Sequence, residues 1–318
     1  MKKYLIIQTA FIGDVILASV LIETIKKNEP DAQIDFILKK GFESILENNP
    51  NLRKVYSFDK NHKIKSFFPL LKFIRHERYH CVFNVHRHMS SGLFTAFSKA
   101  KLKIGYKKNP LSFLFNKKVT HEFSKDIHEV DRILNLTNCL NFEKIRLPKL
   151  YFNNEQNNKV SSLKNKPYLC ISPGSVWFTK RAPVSKWVDI TKKHLSDTIY
   201  IIGGIEDQKI ADDIIFNSSH TAIISLCGQL SLLESACLLK DAQHAYVNDS
   251  APLHLCSATN TPVTALFCST TPYFGFGPLS NESYILEVEN LKCRPCGNHG
   301  KRKCPHNHFD CGNKIEII

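Results

Sequence analysis

The strongest constraint on what this chain can fold into is a pattern that runs along it twice. Apolar runs of four or five residues, too short for helices, alternate with longer segments of helical period. The runs fall at 4–7, 34–38, 55–58 and 81–85, then at 168–172, 199–202, 222–226, 244–248 and 263–267. Helical period fills 15–27, 90–99 and 130–140, then 184–194, 207–216, 231–239 and 252–258. Nearly continuous apolar strands separated by helices predict parallel sheets covered on both faces. The stretch 153–166 has no apolar period and reads as a linker between domains at 1–152 and 167–318. The predicted class is therefore α/β, with two doubly wound, Rossmann-like domains leaving a cleft at the carboxyl ends of their strands.

Charge narrows the partners. The chain carries 43 Lys and Arg against 29 Asp and Glu, a net +14. Clusters at 60–65, 75–78, 99–108 and 292–303 suit nucleic acid, an anionic membrane or phosphorylated sugars. Aromatic residues are not interleaved with the basic ones, which argues against nucleic acid. Lys2-Lys3 before an apolar run resembles a secretory signal, but Asp14 interrupts the run. No segment approaches the ~18 apolar residues of a membrane span. Eleven cysteines, seven of them in apolar contexts, read as reduced thiols of a cytoplasmic protein.

Three loops carry candidate chemistry. After the first run, Gly13-Asp14 opens a helix; Asp14 is either a helix cap or a carboxylate able to act as general base. After the run at 168–172, Pro173-Gly174-Ser175 leads to Lys180-Arg181, a small-residue turn with cations suited to a pyrophosphate. After the run at 244–248, Asp249-Ser250-Ala251-Pro252 begins a helix whose free amides form an anion site. Glu206 and Asp207, beyond Gly203-Gly204, are placed to accept hydrogen bonds from a ribose.

Taken in order, these motifs resemble glycosyltransferase family 9, the ADP-heptose:lipopolysaccharide heptosyltransferases. The resemblance rests on Gly13-Asp14-Val15-Ile16-Leu17, Pro173-Gly174-Ser175 with Lys180-Arg181, Gly228-Gln229-Leu230-Ser231-Leu232 and Asp249-Ser250-Ala251-Pro252-Leu253-His254. Gly105-Tyr106 and His128-Glu129-Val130-Asp131-Arg132 extend it into the first half. It implies a GT-B fold and an inverting transfer of heptose from ADP-heptose to the lipopolysaccharide inner core. Asp14 would be the base. Ser175, Val176, Lys180, Asp249, Ser250, Ala251 and His254 would hold the donor's phosphates and sugar, and Glu206, Gly228, Gln229 and Leu230 its adenosine. Gly13, Arg87 and His88 would meet the acceptor. Ala182 before Pro183, and Ala251-Pro252, depart from the family pattern and leave the donor sugar open.

No catalytic cofactor follows from this reading. Cys293, Cys296, Cys304 and Cys311 form a candidate structural zinc set, with reduced thiols or a disulfide as the other outcomes. Peripheral attachment to the cytoplasmic face of an anionic inner membrane is expected, and nucleic acid is not. A GT-B enzyme with another ADP-sugar, a sugar-nucleotide 2-epimerase or a basic nucleic-acid-binding protein are the alternatives.

Overall fold

The apolar runs become parallel strands, as burial on both faces requires. The computed structural model describes residues 1–124 and 127–317. The chain divides into two units, Met1–Tyr151 and Phe152–Ile318.

In the first unit, β1 (Lys3–Ile7), β2 (Gln33–Lys39), β3 (Lys54–Phe58), β4 (Cys81–Asn84), β5 (Leu102–Tyr106) and β6 (Lys117–Val119) form one sheet. Its order is β3-β2-β1-β4-β5-β6. The chain winds outward from β1 in one direction and returns to β4, so the topological switch lies between β1 and β4, where open α/β sheets bind ligands. Leu5, Ile7, Ile37, Val82 and Phe94 build the core with Leu70 and Ile74. The last two belong to the helix Lys63–Glu77, whose mixed charged and aromatic sequence hid its period. The helix expected over 15–27 is two helices, Ile12–Ala18 and Val20–Asn28. They break at Ser19, whose hydroxyl donates to the Ile16 carbonyl at 2.7 Å.

The second unit repeats the plan with β7 (Tyr168–Ser172), β8 (Thr198–Ile201), β9 (Ile223–Ser225), β10 (His244–Asn248), β11 (Val263–Phe267) and β12 (Ser283–Glu287). The order β12-β11-β10-β7-β8-β9 puts its switch between β7 and β10. Trp187, fully buried, anchors the core and donates its indole N–H to the Ala182 carbonyl at 3.1 Å.

The polar stretch 153–166 is not a plain connector. Asn154–Ser161 is a helix begun by a reciprocal cap: Asn153 accepts the Gln156 amide at 3.0 Å, and Gln156 accepts that of Asn153 at 2.9 Å. One apolar residue, Val160, is buried. Lys164 binds Asp241 at 2.6 Å, so polar contacts, which carry no hydrophobic period, fix this segment to the second unit. β5, β6 and β12 also lay outside the sequence expectation. They are short, lysine-bearing or exposed strands toward the sheet edges, where one-sided burial weakens the apolar signal.

Candidate active site

Both switch points carry loops with functional side chains. In the first unit, the loop after β1 ends at Phe11 and the helix starts at Ile12, earlier than expected. Asp14 is thus the third helical residue and not the cap. Its Oδ2 accepts the Phe11 amide at 3.1 Å, which fixes the carboxylate over the start of its own helix. Gly13 is buried in the same turn.

The loop after β4 brings His86, Arg87 and His88 to this edge. His86 was not singled out in the sequence, yet it is the most constrained of the three. It is buried, its Nδ1 lies 3.0 Å from the Thr9 hydroxyl, and its amide donates to Asn84. Burial pulls its pKa down to about 3, helped by Lys60, His88 and Arg87, so at neutral pH it is an uncharged hydrogen-bonding group. Arg87 reaches His121 at 3.5 Å. His121 in turn lies 2.9 Å from Glu129, which Arg132 grips at 2.8 Å. Burial alone would raise the Glu129 carboxyl, but His121 and Arg132 hold it below the usual range. His88 is exposed and starts the helix Met89–Ala96. Lys60 also belongs here: burial, Lys39 and Lys63 pull its pKa down, while Asp14 opposes them. Asp14, Arg87 and His88 thus share one edge with two groups that spacing did not reveal.

In the second unit, a cavity of about 480 Å³ opens at the carboxyl ends of β7, β8 and β10. Ser175, Val176, Glu206, Leu230, Ser250 and Ala251 line it, as do Arg181 and Asp207. A single buried side chain, Asn248, ties its loops together. Asn248 donates to the Pro173 carbonyl at 2.7 Å and accepts the Ala182 amide at 3.0 Å. The Ser250 hydroxyl donates to Gly174 at 3.3 Å rather than capping the helix Ala251–Thr259, and Ser250, Ala251 and Pro252 turn that helix start to the cavity.

Asp207 explains the small residues opposite. Its carboxylate accepts the Gly204 amide at 3.0 Å, and a Cβ on Gly174 would lie 2.3 Å from it. Burial raises its pKa. Gly228, at φ +71°, donates to the Gly203 carbonyl at 3.0 Å, and a Cβ there would press on Ile205, including its backbone at 3.1 Å. Gln229 donates to the Ser225 carbonyl at 2.9 Å and leaves Leu230 as the wall residue.

Three of the residues expected to hold the donor are not among those lining the cavity. Lys180 does not line the cavity; it forms an ion pair with Asp249 at 2.7 Å. Asp249 is buried and also accepts the Thr270 hydroxyl at 2.5 Å, so its carboxylate is shared between Lys180 and Thr270. His254 lies buried against Phe276 and is not a cavity residue, because its helical position turns it inward from Ala251.

The cysteine tail backs this loop. Lys301 donates to the Thr179 hydroxyl at 2.7 Å, Thr179 donates to the Lys301 carbonyl at 3.1 Å, and a Cβ on Gly300 would strike Trp177. Cys293, Cys296, Cys304 and Cys311 are all free thiols. Burial pushes Cys311 up to about 12, with Cys296, Cys293 and Cys304 adding to it. Among the described residues no three His, Cys, Asp or Glu side chains are drawn together as a metal would hold them.

The model of glycosyltransferase family 9 (heptosyltransferase) matches residues 67–306. The chain is 25% identical over 289 residues to lipopolysaccharide heptosyltransferase 3 of Escherichia coli, covering 85% of this chain and 84% of that one. It is 26% identical to lipopolysaccharide heptosyltransferase 1 of Campylobacter coli, covering 85% of each. Among solved structures, a family 9 glycosyl transferase from Veillonella parvula superimposes with a TM-score of 0.81 at 20% identity, over 90% of this chain and 86% of that one. The E. coli heptosyltransferase WaaC with ADP gives 0.73 at 18% identity, over 89% and 92%.

Proposed function

The chain belongs to glycosyltransferase family 9, the heptosyltransferases, and from that premise we propose that it moves a heptose from ADP-heptose onto the inner core of lipopolysaccharide. It is a glycosyltransferase with two Rossmann-like units of the GT-B type.

The observation that carries the donor assignment is the second unit's cavity, which joins a helix start, Ser175 and Arg181 to acidic groups at Glu206 and Asp207. The helix start and cations suit a diphosphate; the carboxylates suit ribose hydroxyls. Gly228, Gln229 and Leu230 are assigned to the adenine side. Val176, 76% exposed, is a rim residue.

In this reading Asp14 takes the proton from the acceptor hydroxyl as its oxygen attacks the anomeric carbon. The bond from that carbon to the diphosphate oxygen breaks, ADP leaves and the configuration inverts. Negative charge gathers on the leaving diphosphate, where the helix amides and Arg181 stabilise it without a metal. Lys180 joins them when the diphosphate competes with Asp249 for its ammonium. Arg87, His88 and Lys60 face the anionic acceptor, and His86 keeps their loop in place. A lipid-anchored acceptor also assigns the protein to the cytoplasmic surface of an anionic membrane. No helix among the described residues is long and apolar enough to cross one.

A thermal-shift panel of ADP, UDP, GDP, CMP and a short single-stranded oligonucleotide tests the donor assignment. ADP at a hundred times its dissociation constant should stabilise by about 2.7 kcal/mol. A shift with the oligonucleotide and none with any nucleotide would reject it.

A further inference from the structure

We propose that the outer face of the helix Lys63–Glu77 is the surface by which the first unit lies on an anionic lipid bilayer; this rests on the membrane association proposed above and specifies its site. The helix is divided lengthwise. Leu70 and Ile74 are buried in the core with Phe67 and Leu71 partly covered beside them. On the other side Ile64 is 76% exposed and Phe68, one turn on, 64% exposed. Lys72 continues that stripe, and Lys63 and Lys65 flank it, all exposed.

Two large apolar side chains in water along the N-terminal half of a lysine-bearing helix face have the pattern of an interfacial membrane helix. Such a helix inserts its apolar stripe at the headgroup boundary while the lysines meet lipid phosphates. The sign of the charge selects the partner. The helix has one carboxylate, Glu77, and it is turned inward onto Lys3 at 2.7 Å and Arg53 at 2.9 Å. The outer face is therefore purely cationic. A second copy docked face to face would oppose lysine to lysine, whereas an anionic bilayer neutralises them.

Position links this face to catalysis. The helix begins just past the carboxyl end of β3, on the edge that carries Asp14. Lys60, in the connecting loop, is close enough to both Lys63 and Asp14 for their charges to act on its ammonium. Phe11, half-exposed at the start of Asp14's helix, adds an apolar group on the same edge. A bilayer against this face brings a lipid-anchored hydroxyl to the side of the unit where the proposed base lies.

The test is co-sedimentation of the full chain with vesicles of phosphatidylcholine alone or mixed with phosphatidylglycerol. Wild type is compared with Ile64→Ser/Phe68→Ser and with Lys65→Gln/Lys72→Gln, and the ADP thermal shift reports on folding of each. Wild type should bind only the anionic vesicles, and the apolar variant at least about tenfold more weakly, with its ADP shift intact. The lysine variant should bind the anionic vesicles more weakly, and its remaining binding should depend less on salt. If the apolar variant binds like wild type, the docking face is overturned while the association stands. If wild type ignores anionic vesicles at low salt, the association itself falls. If wild type is a dimer that the apolar variant dissolves, with vesicle binding unchanged, the face belongs to a second copy and the proposal is wrong.

Discussion

The two units share one sheet plan and load it in opposite ways. At the second unit's switch point the charged groups are largely satisfied from within. Lys180 is held by Asp249, Asp207 by the Gly204 amide, and Asn248 bonds both neighbouring loops. Gly174 and Gly203 leave room for the Asp207 carboxylate, and Gly228 for Ile205. At the first unit's switch point His88 is exposed and Arg87 and Lys60 stand beside Asp14's loop without comparable closure. The scaffold fixes where a ligand goes, and the loops decide what it is. A tight, internally bonded site suits a small ligand of fixed shape, and an open cationic edge suits a large anionic one.

The sharpest way to separate the two is Asp14→Asn. It should lower kcat by about a hundred- to ten-thousandfold and leave the ADP-induced shift in Tm unchanged. A lost ADP shift would mean that the units do not divide the work as described. Asn248→Ala strikes the other unit: leaving the Ala182 amide and Pro173 carbonyl unpaired should cost about 3 kcal/mol, lowering Tm by roughly 6–12 °C and weakening ADP. Calorimetry that finds Tm unmoved would show that the loops hold without their staple.

The pH dependence should divide the units again. His86 has a folded pKa depressed from 6.5 to about 3. The unfolded chain therefore binds its proton first, and the stabilisation present above pH 6.5 is lost as pH falls toward 3. By pH 5 the loss should reach about 2 kcal/mol, and His86→Asn should flatten the stability profile over this window. An equally steep profile in that variant would place the sensitivity elsewhere.

Lys180→Ala should raise the Kd for ADP about tenfold, the weight of one charge-assisted contact. Adding Asp249→Asn distinguishes the causes. Restored ADP binding in the double variant would make Lys180 a structural partner of Asp249; binding that stays weak would make it a diphosphate contact. The smallest effect is expected at the tail, where Cys293→Ser with Cys296→Ser should shift Tm by less than about 4 °C if the thiols are reduced. One equivalent of zinc in the purified wild type, released by these substitutions, would favour instead the structural zinc that the sequence spacing suggests.

What the sequence determined by itself was the periodicity and its punctuation. Strands such as His244–Asn248 and Val263–Phe267 were legible to the residue, because a strand buried on both faces is mostly apolar and stands out between polar turns. The loops at their carboxyl ends followed from topology, and with them Asp14, Ser175, Ser250 and Ala251. Tertiary structure decided the pairings. Asp249 and Lys180 lie 69 positions apart, and nothing local announces that they form an ion pair. His86 gains its role from Thr9, in the loop after β1 and 77 residues earlier in the chain. The helix Asn154–Ser161 is held by a cap and polar contacts, and Lys63–Glu77 by two buried residues beneath a charged surface. Hydrophobic burial is written along the chain with a period, whereas hydrogen bonds and ion pairs join residues whose nearness exists only after the sheets have formed.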